Sequence, residues 1–209
     1  MENGIRVEHL YKSFGKEDVL IDVNLTVPRG KIVGVVGNNG CGKTVLMKCI
    51  CGFMKPDRGT VWVEKKRVGK ECDFPDRLGM IIETPGFIPE MSGYRNLKTL
   101  ASLRGRIGKK EITEVLGQVG LAPNMHKAVR KYSLGMRQRL GIAQAIMENP
   151  NVLILDEPFN GLDKTGVEEM RALFTVLKQN GKAMLLASHN AEDIRTLCDA
   201  VYEMEVHRK

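Results

Sequence analysis

The sequence contains no stretch approaching the roughly 18 uninterrupted apolar residues that a membrane-spanning helix needs. Its first residues, Met1-Glu2-Asn3-Gly4-Ile5-Arg6, lack the basic-then-apolar layout of a signal peptide. The expectation is a chain that neither crosses a membrane nor enters the secretory route by itself. Paired cysteine spacing is missing: the five residues Cys41, Cys49, Cys51, Cys72 and Cys198 are odd in number and show no C-x-x-C. That pattern argues against a disulfide framework and against a structural zinc site, and fits a reducing cytosol. No internal repeat and no low-complexity linker divides the chain.

What is present is an ordinary globular composition, 43% hydrophobic and 27% charged over 209 residues, enough for one domain with a real core. Lys and Arg number 32 against 25 Asp and Glu, a net charge of +7 that suits nucleic acid, an anionic membrane surface or a phosphorylated ligand alike. Glycine is abundant, with 22 residues, and its placement carries information.

Short apolar runs alternate with helical patterns, the signature of an α/β fold around a mostly parallel sheet. Ile5–Glu8, Val19–Ile21, Val23–Val27 and Thr60–Val63 read as an antiparallel β subdomain beside it. Ile32-Val33-Gly34-Val35-Val36 is apolar throughout, as a central strand buried on both faces should be. From Thr84 to Glu148 helical patterns take over, at Ser92–Leu103, Lys109–Gln118 and Leu134–Met147. The expected organisation is therefore a single domain, 1–209, with a core formed by 1–83 and 149–209 and an inserted helical subdomain at 84–148. Strands at Val152–Leu155 and Ala183–Ala187, with helices at Thr165–Gln179 and near Glu192, complete the pattern.

Gly37-Asn38-Asn39-Gly40-Cys41-Gly42-Lys43-Thr44 matches G-x-x-x-x-G-K-[ST], after a buried strand and at the opening of a helix. Glycines let the backbone turn successive N–H groups toward phosphate oxygens, and the helix N-terminus adds partial positive charge. Lys43 would reach the β- and γ-phosphates and Thr44 would ligate Mg²⁺. Asn38, Asn39, Gly40, Cys41, Gly42 and Val45 complete the expected nucleotide contacts. The bland alternative is a glycine-rich turn before a helix.

Val152-Leu153-Ile154-Leu155-Asp156-Glu157 is an apolar run that ends in two carboxylates, which a parallel strand delivers to the edge where α/β folds bind ligands. Asp156 suits Mg²⁺, and Glu157 suits a general base for the attacking water. Ser133-Leu134-Gly135-Met136-Arg137-Gln138-Arg139 opens a helix whose first turn carries arginines where the dipole favours acids. An outside anion at Ser133 and Gly135 would resolve that conflict, making a second phosphate site. A capped helix with a solvated basic face would also fit.

In this combination and order the chain resembles the ATP-binding cassette family, the nucleotide-binding subunits of ABC transporters, over essentially its whole length. The resemblance implies the P-loop NTPase (RecA-like) fold, binding of ATP and Mg²⁺, and ATP hydrolysis. It makes residues 37–44 the Walker A loop, Val152–Glu157 the Walker B strand with its catalytic glutamate, and Tyr132-Ser133-Leu134-Gly135-Met136 the signature. Phe14 takes the place of the aromatic that stacks on adenine, Asn160-Gly161-Leu162-Asp163 that of the D-loop, and His189 that of the switch histidine. The sequence departs from the family at Leu134 and Met136, which replace a glycine and a glutamine. It departs again at Glu83, which stands for the Q-loop glutamine as an acid near the metal and water. Glu83-Thr84-Pro85 and the altered signature look like the bacterial peptide-antibiotic export and immunity transporters.

Family arrangement further implies a head-to-tail dimer, or pairing with a second ABC ATPase subunit, in which each nucleotide lies between one Walker A loop and the other chain's Ser133 and Gly135. It implies an integral membrane permease as partner and a cytoplasmic, membrane-peripheral location. Phe87, Met91 and Tyr94 are candidates for contact with that permease or for the subdomain core. A soluble cassette acting on nucleic acid or the ribosome is the competing class, disfavoured because such relatives carry additional modules. Residues 115–147 hold Lys127, Arg130, Lys131, Arg137 and Arg139 and no acid, so the excess charge concentrates around the signature helix.

Overall fold

The structure, a computed structural model, describes residues 3–83 and 86–205. Thr84 and Pro85, which open the expected helical insertion and complete the Glu-Thr-Pro segment, lie outside the described residues.

β1 (Asn3–Phe14) and β2 (Glu17–Pro28) form a hairpin with Phe14 opposite Glu17, followed by β3 (Ile32–Val36) and α1 (Lys43–Cys51). β4 (Arg58–Val63), β5 (Lys66–Arg67) and β6 (Leu78–Ile81) come next. The chain then turns helical through α2 (Gly93–Arg104), α3 (Lys109–Gln118), two 3₁₀ turns and α4 (Leu134–Ile146). β7 (Val152–Asp156), α5 (Lys164–Gln179), β8 (Ala183–Ala187), α6 (Ala191–Leu197) and β9 (Ala200–Glu203) restore the alternation. An antiparallel sheet of order β2-β1-β4-β5 stands beside a parallel sheet of order β6-β7-β8-β3-β9. Among the described residues no helix is long and apolar enough to cross a membrane.

The alternation of side chains along a strand explains why the central strands are apolar throughout. Leu153 and Leu155 of β7, with Met184 and Leu186 of β8, enter a core shared with α2, α3 and α4. Val152 and Ile154, with Ala183, Leu185 and Ala187, enter the opposite core with α1 and the antiparallel sheet. Leu46, Met47 and Ile50 on α1 are fully buried there, each contributing about 1.5–3 kcal/mol of apolar burial. Gly79 permits the close approach of α4 to β6, since a Cβ at that position would lie 1.9 Å from the Ala145 carbonyl oxygen.

Two details depart from the sequence reading. Val19–Ile21 and Val23–Val27 belong to one continuous strand, because a bulge in β1 between Val7 and Leu10 absorbs the irregularity. There His9 and Asp22 take left-handed backbone angles and join side chain to side chain at 2.7 Å. β6 and β9, only four residues each, were not anticipated as strands. The described cysteines are free, and burial pushes the thiol of Cys49 up to about 11 and that of Cys51 to about 12.

Candidate nucleotide site

Because β3, β8, β7 and β6 are adjacent and parallel, their carboxyl ends form one edge. That edge carries the glycine-rich loop after β3, Ser188 and His189 after β8, Asp156 and Glu157 at the end of β7, and Glu83 beyond β6. It borders a cleft of about 640 Å³ lined by Phe14, Asn39, Gly40, Gly42, Lys43, Thr44, Val45, Glu83, Asp156 and Glu157. Val19, Leu134, Gln138 and Asn160 line it as well. A larger groove, about 810 Å³, opens at the other end of β6 between the ends of α2 and α4 and contains none of the motif residues.

Gly42 caps α1 in the left-handed region (φ 97°) and offers no side-chain oxygen to the helix, whose first turn also lacks an acid. A Cβ there would approach Val19 Cγ1 to 2.9 Å. The helix start is thus left to an outside anion, which fits a nucleotide phosphate. Lys43 folds back on the loop, its Nζ donating to the carbonyl oxygens of Gly37 at 2.6 Å and Asn38 at 3.2 Å. Asn38 and Cys41 do not line the cleft; Asn38 accepts from the Cys41 N–H at 3.2 Å and shapes the loop.

One residue on, Thr44 Oγ1 donates to Asp156 Oδ2 at 2.9 Å. Two hard oxygen ligands are thereby brought together across α1 and β7. This donor set fits Mg²⁺, which takes one or two protein ligands and completes its shell with phosphate and water. Glu83, in the left-handed region at φ 60°, turns to Lys48 of α1, whose Nζ lies 2.6 Å from Oε1.

Glu157, also left-handed at φ 49°, accepts from the His189 backbone N–H at 3.0 Å and meets His189 Nδ1 at 2.8 Å. A carboxylate can only accept, so Nδ1 carries the proton in this pair. The turn bearing His189 is anchored by Ser188, which donates to Asp193 at 2.9 Å, and Asp193 is gripped by Arg171 of α5. Gln138 of α4 donates to the carbonyl oxygens of Glu157 and Pro158, tying that helix to the acidic strand end.

Phe14 stands at the hairpin tip, 47% exposed, with Lys12 Nζ 5.6 Å from its ring centre. Lys12 and the Ser13 N–H both bond Asp57 and hold its carboxyl below the usual carboxylate range, fixing the strand that presents Phe14.

Ser133 and Gly135 do not line the cleft. Ser133 caps α4, its Oγ accepting from the Met136 N–H at 3.2 Å, while Gly135 packs on the Gly161 carbonyl. Leu134 is 61% exposed and abuts Gly161, where an added Cβ would lie 2.5 Å from Leu134 Cγ. The arginines that looked unmatched from sequence have partners: Arg137 donates to the Tyr132 carbonyl, and Arg139 to the Val119 carbonyl while pairing with Glu169 at 2.6 Å. Phe87 and Tyr94 pack against the helical core.

The ABC transporter family matches residues 20–160, most of the chain. The chain belongs to the ABC transporter family. This cassette is similar to the bacitracin transport ATP-binding protein BcrA of Enterococcus faecalis, at 42% identity over 96% of this chain and 66% of that protein. The chain therefore spans about two thirds of that relative's length. It is similar also to the lantibiotic transport ATP-binding protein SrtF of Streptococcus pyogenes, at 35% identity over 94% of this chain and 85% of that protein. A solved ATP-binding subunit of an ABC transporter superposes with a TM-score of 0.86 at 28% identity, covering 98% of this chain and 88% of that one. The family's P-loop NTPase fold, anticipated from the sequence, is the fold observed.

Sequence reasoning missed Lys48 and Gln138. Each is an unremarkable polar residue within a helix, and only the strand order reveals what it meets.

Proposed function

We propose that this chain is the ATP-hydrolysing subunit of an ABC transporter, acting as a pair on a separate membrane permease at the cytoplasmic face. The observation that carries the reading is the convergence on one cleft of Lys43, the Thr44–Asp156 pair and Glu157, which His189 holds from outside the lining.

In the proposed cycle Phe14 stacks on adenine, and the loop N–H groups hold the phosphates. Lys43 exchanges its loop carbonyls for the β- and γ-phosphates. Thr44 and Asp156 would hold Mg²⁺, whose charge offsets the negative charge on the transferring phosphoryl group. Glu157 accepts a proton from the water that attacks the γ-phosphorus, and ADP leaves with the bridging oxygen. His189 keeps both Glu157 oxygens oriented toward that water. Glu83 belongs to the same site, beside the metal.

Ser133 and Gly135 lie outside the cleft of their own chain, which supports a role for them against the nucleotide of a second copy or a second cassette. ATP then favours the closed pair and hydrolysis reopens it. Residues 1–209 act as a single domain in this reading, with 84–148 as the helical subdomain that faces the permease. The bacitracin and lantibiotic transport relatives support export of peptide antibiotics. The test is phosphate release from ATP by the purified chain. Release that requires Mg²⁺ and disappears with Lys43→Ala is expected, and release untouched by that change contradicts the assignment.

A further inference from the structure

Lys48 and Glu83 are 35 residues apart in sequence and meet at 2.6 Å beside the cleft. Thr44 and Lys48 lie one helical turn apart on α1, so both project from the same face toward the ends of β6 and β7. Thr44 takes Asp156 and Lys48 takes Glu83. Without Lys48, Glu83 would stand as an uncompensated carboxylate beside Asp156 and Glu157 and add its charge against a polyanionic nucleotide. Lys43 does not serve Glu83, because its Nζ is engaged by the loop carbonyls of Gly37 and Asn38.

We propose that Lys48 is a positioning residue that supplies the counter-charge allowing an acid to stand at residue 83 of a nucleotide site. The pair presents carboxylate oxygen without net charge, so it imitates an amide electrostatically while Lys48 fixes the side chain's direction. This rests on the nucleotide-site reading given above. Lys48 is 31% and Glu83 64% exposed, so solvent screens the pair, and the expected effects are about tenfold rather than thousandfold.

The test is equilibrium binding of ATP, ADP and AMP, in EDTA and in Mg²⁺, to the wild type, Lys48→Met, Glu83→Gln and the double variant. Lys48→Met is expected to weaken ATP binding in EDTA by about tenfold, ADP less and AMP least, because the repulsion scales with ligand charge. Glu83→Gln alone, which frees a lysine beside the phosphates, is expected to tighten ATP binding several-fold. The double variant should return to within about threefold of wild type, since the two charges are removed together. Lys48→Arg should stay close to wild type. If Lys48 only braced α1 against β6, its loss would be the same for the three nucleotides and would persist in the Glu83→Gln background; that result overturns the proposal while leaving the nucleotide site intact. Should Lys48→Met fail to fold, the Glu83→Gln result decides: unchanged or weakened ATP binding overturns the proposal. Failure of the wild type to bind ATP overturns the site itself and this inference with it.

Discussion

His189 holds both carboxylate oxygens of Glu157, its backbone N–H 3.0 Å from Oε1 and its Nδ1 2.8 Å from Oε2. The contact joins the end of β7 to the turn after β8, two neighbouring strands whose alignment places Asp156 beside Ala187. Held at both oxygens, Glu157 has a fixed direction, as its proposed role as base toward a single water requires. Glu157→Gln is expected to lower ATP turnover by about 10²–10⁴-fold, the usual worth of a general base, with ATP binding retained. His189→Ala should lower turnover with smaller change in ATP affinity. Steady-state phosphate release against nucleotide concentration separates the two effects.

Thr44→Ala removes both a hydroxyl suited to Mg²⁺ and the hydrogen bond that orients Asp156. The magnesium concentration for half-maximal ATPase is expected to rise about 10–100-fold. Titration of activity with Mg²⁺ at saturating ATP provides the check, and an unchanged midpoint would count against Thr44 and Asp156 as the metal pair.

Gly42→Ala forces an alanine into φ 97° with its Cβ 2.9 Å from Val19 Cγ1 and 3.0 Å from Leu20 Cδ2. The cost is expected to be about 1–3 kcal/mol, seen as a lower unfolding midpoint in urea. ATP binding should fall as well, since the same residue aims the first N–H groups of α1.

Asp199 gives an acid dependence of stability. Burial raises its pKa, but the Ile32 N–H and the Lys31 and Lys178 ammonium groups outweigh that, so its carboxyl lies below the usual range. A depressed folded-state pKa stabilises the fold above the unfolded value near about 3.9, and this contribution is lost as pH falls through the folded value. Asp199→Asn is expected to cost about 1–2 kcal/mol at neutral pH and to flatten the stability decline in the acid range. Urea unfolding between neutral and acid pH measures both.

What could be read from the sequence was local. The loop of residues 37–44 announces itself because glycines, lysine and threonine are contiguous, and Asp156-Glu157 because an apolar strand ends abruptly at them. The antiparallel patch followed from alternating residues in β1, β2 and β4. Long-range partners were not legible. Nothing near Arg139 reveals that Glu169 and the Val119 carbonyl answer its charge. Lys48 and Glu83 meet only because β6 lies beside β7 at the end of the sheet that α1 covers. β6 itself escaped notice because four residues with a central glycine carry too little pattern.

Ser133 and Gly135 lie outside the cleft of their own chain, which underlies the proposal that ATP joins two cassettes. Light scattering on Glu157→Gln after size-exclusion chromatography tests it most directly. With ATP and Mg²⁺ the account predicts a mass twice that of the chain, returning to the single-chain mass in ADP or when Ser133→Arg is added. A single-chain mass in ATP, under conditions where ATP binding is measured to be complete, would contradict it.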